Sequence, residues 1–179
     1  MPCAVGLYFR MRMSMWLMVL CVSSVGVLAE SAAGVRWTAP SGWSSEGARP
    51  MRAATYRIAP APGDGMAAEC GVYFFGPGQG GSVDANIERW KGQFLGLDGK
   101  VSPAKVSARK RGGLTVTTIE TAGAYSGMGG ASSPGYRLLG AIVEGPGGNV
   151  FVKFTGPAKT IAANQQKFEQ LLASFHVEK

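Results

Sequence analysis

Few side chains in this sequence are of the kinds that do chemistry, and their spacing narrows the options further. His176 is the only histidine in 179 residues, which excludes His-based triads and multi-histidine zinc sites. No H-E-x-x-H, G-x-S-x-G or C-x-x-C occurs. The 11 acidic residues are scattered, so a glycosidase-type carboxylate pair would have to assemble in space, from Glu69, Glu120 or Glu144. A Ser-x-x-Lys spacing at Ser102-Pro103-Ala104-Lys105 falls on an expected loop-to-strand junction and is read as chance. We assign no catalytic residue, no metal ligand and no cofactor.

Gly76-Pro77-Gly78-Gln79-Gly80-Gly81 matches G-x-G-x-x-G, follows an expected strand and opens an expected helix. Such a loop can cradle a phosphate at a helix N-terminus. Several strands already precede it, however, and no strand–helix alternation follows. It is read as a strand-to-helix connection, with a backbone anion nest as the alternative. Two polar constellations are better candidates. Asn86, Arg89 and Gln93 sit at i, i+3 and i+7, one edge of a helix that either reads a ligand or locks the helix to a loop. Arg109, Lys110 and Arg111 are three successive cations at an expected hairpin turn, suited to an anionic partner.

The N-terminus sets the compartment. Arg10 and Arg12 precede an apolar run from Met13 to Leu28, and Val27-Leu28-Ala29 puts small residues where signal peptidase cuts. The run is short for a span of ~20 residues. The expectation is a signal peptide, residues 1–29, and one exported domain, residues 30–179, secreted or periplasmic. Met11 or Met13 is an alternative start, and an uncleaved N-terminal anchor is the alternative to cleavage. Cleavage removes two of the 18 basic residues and none of the 11 acidic ones, so the formal charge falls from +7 to about +5. That favours anionic partners; nucleic acid is excluded by the compartment. Cys3 and Cys21 leave with the leader, so Cys70 has no intramolecular disulfide partner and reads as a small buried strand residue.

The elements that must position these residues follow from period and punctuation. Val35–Trp37, Ala53–Ile58 and Ala67–Phe75 read as strands. Ser82 caps a helix whose stripe is Val83, Ile87, Trp90 and Phe94. Hairpins are expected at Lys105–Arg109 with Leu114–Thr121, and at Tyr136–Glu144 with Val150–Thr155. Residues Gly123 to Gly135 read as a loop, and Pro157 opens one last helix with Ile161, Phe168, Leu171, Leu172 and Phe175 on its buried face. This is α+β: an antiparallel sheet with packed helices.

Four segments carry a resemblance: Trp37-x-x-Pro40-x-x-Trp43, Pro50-Met51-Arg52-x-Ala54-x-Tyr56, Asn86-Ile87-Glu88-Arg89-Trp90-x-x-Gln93-Phe94, and Phe151-x-Lys153-x-Thr155-Gly156-Pro157. They resemble an uncharacterised family of exported bacterial proteins. The order of elements is similar to the PsbP-like fold, known from an extrinsic photosystem II subunit and a Ran-binding nuclear-import factor. The resemblance implies an α/β/α sandwich and, in those relatives, non-enzymatic binding; it carries no catalytic residue over. The sequence therefore points to an exported, non-enzymatic binding or accessory domain docking on an envelope protein complex or an anionic surface. A small hydrolase with an atypical site near the first helix is the alternative. A pocket gathering Asn86, Arg89, Gln93 and a carboxylate would favour that alternative.

Overall fold

Strand alternation sorts the apolar residues onto two faces, and that sorting builds the fold. The computed structural model describes residues 29–127 and 132–178. Its elements are β1 (Ala29–Ala32), β2 (Val35–Thr38), β3 (Ser44–Ser45), β4 (Arg52–Ile58), β5 (Ala68–Tyr73), α1 (Val83–Lys91), β6 (Phe94–Leu95), β7 (Ala104–Arg111), β8 (Leu114–Ser126), β9 (Ser132–Gly145), β10 (Gly148–Pro157), α2 (Ala158–Ala163), α3 (Gln165–Ser174) and β11 (His176–Val177). The main sheet runs β3-β4-β5-β10-β9-β8-β6, with β7 also paired to β8. Every pairing in it is antiparallel. A second sheet, β1-β2-β11, stands apart.

In β10, Val150, Val152 and Phe154 enter one core with Ile161, Phe168 and Leu171. Phe151, between them in sequence, enters a second core with Ile87 and Trp90 of α1. Period-2 alternation thus gives each face of the sheet its own helical cover, and the architecture is the expected α+β sandwich. Cys70 is fully buried in the first core, and burial pushes its thiol pKa well above the ordinary value. Trp37 stacks on Phe175 at 5.2 Å, and its Nε1 donates to the Tyr56 hydroxyl at 2.8 Å and to Glu30 at 3.2 Å. Tyr56 also donates to Glu30. These bonds tie β1 and β2 to the main sheet.

Several elements differ from their sequence expectations, each for a local reason. Ser82 does cap α1, accepting from the Ala85 amide, but the helix stops at Lys91. Gly92, a poor helix residue, closes the last turn through its amide to Glu88, and Phe94 instead pairs with Tyr125 in β6. Gln93 is therefore off the helix. The single C-terminal helix is two: Asn164 turns out of helical geometry between α2 and α3, where its side chain bonds the Thr160 carbonyl and accepts from Trp43 Nε1. The expected Gly123–Gly135 loop is largely a continuation of β8 and β9, paired as far as Ser126 with Ser132; residues 128–131 lie outside the described residues. The β7–β8 turn is only Gly112-Gly113, both at positive φ, as a two-residue hairpin requires. Of the expected leader, residues 1–29, all but Ala29 lies outside the described residues; Ala29 opens β1. No helix among the described residues is long and apolar enough to cross a membrane.

Candidate functional site

The polar residues expected on α1 take three different roles. Asn86 is 2% exposed; its amide donates to the Gly80 and Ser82 carbonyls at 2.8 and 2.9 Å. Its oxygen accepts from Arg89. It closes the glycine loop onto the helix. Gly80 itself lies under Phe75 and Phe151, so tightly that an added Cβ would come within 2.8 Å of both rings. The G-x-G-x-x-G loop is therefore packed from inside, in a wholly antiparallel sheet.

Gln93 alone reaches a cavity, on the α1 side of the sheet just past the helix end. The cavity measures about 410 Å³. Its floor is Lys153 and Thr155 of β10 with Glu69 of β5, all on one face by alternation. Lys153 lies opposite Gly71 on one neighbouring strand and Gly140 on the other. The Tyr73 ring folds across Gly71, and Tyr125 and Tyr136, stacked 5.9 Å apart, complete the walls. Arg52 pairs with Glu69 at 2.8 Å and lies over the Tyr73 ring.

The Lys153 ammonium donates to Gln93 Oε1 at 2.6 Å and to the Tyr125 hydroxyl at 3.1 Å. Burial, reinforced by Arg89 and Arg52 and opposed by Glu69, lowers its pKa to about 8. Burial also raises the pKa of Tyr73 and Tyr125. The Thr155 hydroxyl is buried without a hydrogen-bond partner. Lys153, Tyr73, Tyr125, Tyr136 and Arg52 did not stand out in sequence as site residues. The usable signal was Phe151-x-Lys153-x-Thr155, a lysine in phase with a buried phenylalanine.

The cationic turn is also rearranged. On β7, Lys105, Arg109 and Arg111 line a groove of about 230 Å³ against α3, while alternation turns Lys110 to the opposite face. The three cations thus do not form one patch. Arg111 pairs with Glu169 at 2.9 Å, and Glu120 pairs with Arg137 at 2.6 Å. Both acids of the groove are engaged, and Lys105 and Arg109 have no ion-pair partner among the described residues.

No carboxylate pair assembles from the three expected acids. Glu69 lines the Lys153 cavity, whereas Glu120 faces the α3 groove on the other side. Glu144 is in register with Asn149 and Glu69 with Thr155, six residues apart on β10, or about 20 Å. Ser102 is buried and Lys105 exposed on the edge strand. The same spacing recurs at Ser107-Ala108-Arg109-Lys110; there Ser107 bonds Thr118 and Lys110 points the other way.

No family model matches the chain, and no curated protein matches it either. Among solved structures, the chain is similar to the cyanobacterial PsbP protein of Synechocystis, at a TM-score of 0.52 and 15% identity over 86% of this chain and 95% of that one. It also aligns with a Pseudomonas aeruginosa protein of unknown function, at 0.48 and 10% identity over 82% and 94%. The likeness to the first of these spans nearly all of both chains and shows that the chain has a PsbP-like fold.

Proposed function

We propose that the chain is an exported, non-enzymatic accessory domain that docks on an acidic protein or anionic surface of the cell envelope. One observation carries this reading. Lys105 and Arg109 project from β7 into the α3 groove with no carboxylate among the described residues to neutralise them, because Arg111 and Arg137 hold Glu169 and Glu120. β7 pairs only with β8 among the described residues, so its outer edge is open to an extended partner segment. The hydrolase alternative has less support. The cavity near α1 joins Gln93 to a single carboxylate, Glu69, already paired with Arg52, and no serine, cysteine or histidine lines it among the described residues.

Docking of this kind should be salt-sensitive. We expect co-sedimentation with anionic but not zwitterionic phospholipid vesicles at low salt. It should be lost at high salt as the Debye length falls from ~10 Å at 0.1 M to ~3 Å at 1 M. A Lys105→Glu, Arg109→Glu variant should lose this binding with little change in melting temperature, since exposed charges contribute at most about 1 kcal/mol, whereas Lys110→Glu, on the opposite face, should retain most of it. Equal binding by the double variant, or none by wild type at low salt, refutes docking through β7.

Export has its own test. Signal cleavage after Ala29 would leave Glu30, with its bonds to Trp37 and Tyr56, as the first residue of the mature chain. Mass spectrometry of the exported protein should find Glu30 there. A retained segment 1–29 would instead favour the anchored form.

A further inference from the structure

The Lys153 cavity is unrelated to the docking groove and lies across the sheet from it. Its charges are unevenly matched. Arg52 is neutralised by Glu69 at 2.8 Å, but among the described residues no acid lies within ion-pair distance of Lys153, whose partners are the neutral Gln93 and Tyr125. Nor can residues 1–28 or 128–131 supply one, since they contain no Asp or Glu. A largely buried ammonium without a counter-ion is costly. A ligand that supplied the missing charge would relieve that cost.

Two of the three ammonium donors are used, leaving one N–H for the cavity. The Thr155 hydroxyl is buried in the same wall with nothing to bond. Beside these two polar points stand three phenol rings, Tyr73, Tyr125 and Tyr136, with Gln93 and the Arg52–Glu69 pair completing the lining. Small-molecule sites likewise set aromatic walls beside convergent polar groups, in volumes from about 300 Å³ upward. From this geometry we propose that the cavity binds a small organic monocarboxylate, with its carboxylate on Lys153 and Thr155 and its body against the tyrosine rings. A phosphate fits less well. One free ammonium N–H matches a single negative charge, the nearby guanidinium is committed to Glu69, and phosphate sites draw on bidentate Arg or clustered backbone amides.

The test is NMR titration of the isotopically labelled exported protein. The probes are 4-hydroxybenzoate, cyclohexanecarboxylate and glucuronate, each beside its neutral amide, and orthophosphate. Saturable shifts at Lys153, Tyr125 and Thr155 are expected with at least one acid in the millimolar range, and none with the amides. Lys153→Met should weaken binding more than about tenfold, whereas Arg109→Glu, in the docking groove, should not change it. Tyr125→Phe removes one ammonium acceptor and frees a second N–H, so it should bind the acid more tightly than wild type, and unchanged affinity counts against the proposal. A purely structural lysine would instead gain nothing from that change. If Lys153→Met does not fold, the Tyr125→Phe result and the acid-over-amide preference still decide. The proposal is overturned if no acid saturates by about 20 mM, if amides bind equally, if Lys153→Met keeps its affinity, or if orthophosphate binds at Lys153 more tightly than every acid.

Discussion

Trp90→Ala should cost roughly 3–5 kcal/mol in denaturant unfolding, the range of large aromatic truncations in cores. Trp90 is 3% exposed and sits in the core formed by Ile87, Phe94, Ile119, Leu138, Ile142 and Phe151. Its ring lies on the sheet because Gly140 leaves room: an added Cβ there would come 2.7 Å from Trp90 Cζ3 and 2.8 Å from Ile119. Truncating Trp90 removes the one large α1 side chain that fills this gap, and the surrounding strands are held by their ladders and cannot collapse into it. Gly140→Val should therefore destabilise as well, by displacing the same ring. A third variant, Trp90→Phe, should fall between wild type and Trp90→Ala. A loss below about 1 kcal/mol for Trp90→Ala would mean that α1 is not anchored by this residue.

What was legible in the sequence is what local pattern controls. The α1 stripe, its Ser82 cap, the β9–β10 hairpin and the alternation of β10 each follow from spacing within one segment, and the two-sided sandwich follows from them. Boundaries that depend on distant partners were not legible. Asn164 breaks the last helix where Trp43, over a hundred residues away, takes its carbonyl oxygen. Gln93 leaves the helix because β8 offers Phe94 a ladder. The candidate site residues are divided among different surroundings for the same reason. Three cations in a row look like one patch until the turn proves to be two glycines, which extends the strand through Arg111 and divides the charges between two faces. The Lys153 cavity draws on β4, β5, β8, β9 and β10 and the end of α1, so no single segment carries its pattern. Only Gln93 was singled out, and for a helical edge it does not occupy.

The difference in stability between wild type and Lys153→Met should depend on pH in a defined window. In the folded chain Lys153 has a pKa of about 8, lowered from 10.5 chiefly by burial and then by Arg89. Between these values the unfolded chain holds the proton and the folded chain does not, so this lysine makes stability rise with pH from about 8 to 10.5. Below pH 8 both states are charged and the full cost of the buried cation is felt. The displacement corresponds to at most about 3 kcal/mol; with partial solvent access, about 2 kcal/mol is expected. Wild type alone would blur the effect. The Cys70 thiol and the Tyr56, Tyr73 and Tyr125 hydroxyls have pKa values raised by burial, so they keep their protons in the fold while the unfolded chain loses them, and they lower stability above about pH 9. The contributions of Cys70, Tyr56 and Tyr73, none of which bonds Lys153, cancel in the difference; Tyr125 does bond it, so the comparison is made with Tyr125→Phe in both proteins. Denaturant melts at pH 7 and pH 10 should then show the Lys153 form gaining about 2 kcal/mol relative to Lys153→Met. A saturating carboxylate ligand should flatten that gain, because it stabilises the ammonium and restores its pKa toward the ordinary value. A difference that stays constant between pH 7 and 10 would mean that the Lys153 charge costs the fold nothing, and the case for a cavity awaiting an anion would lose its energetic basis.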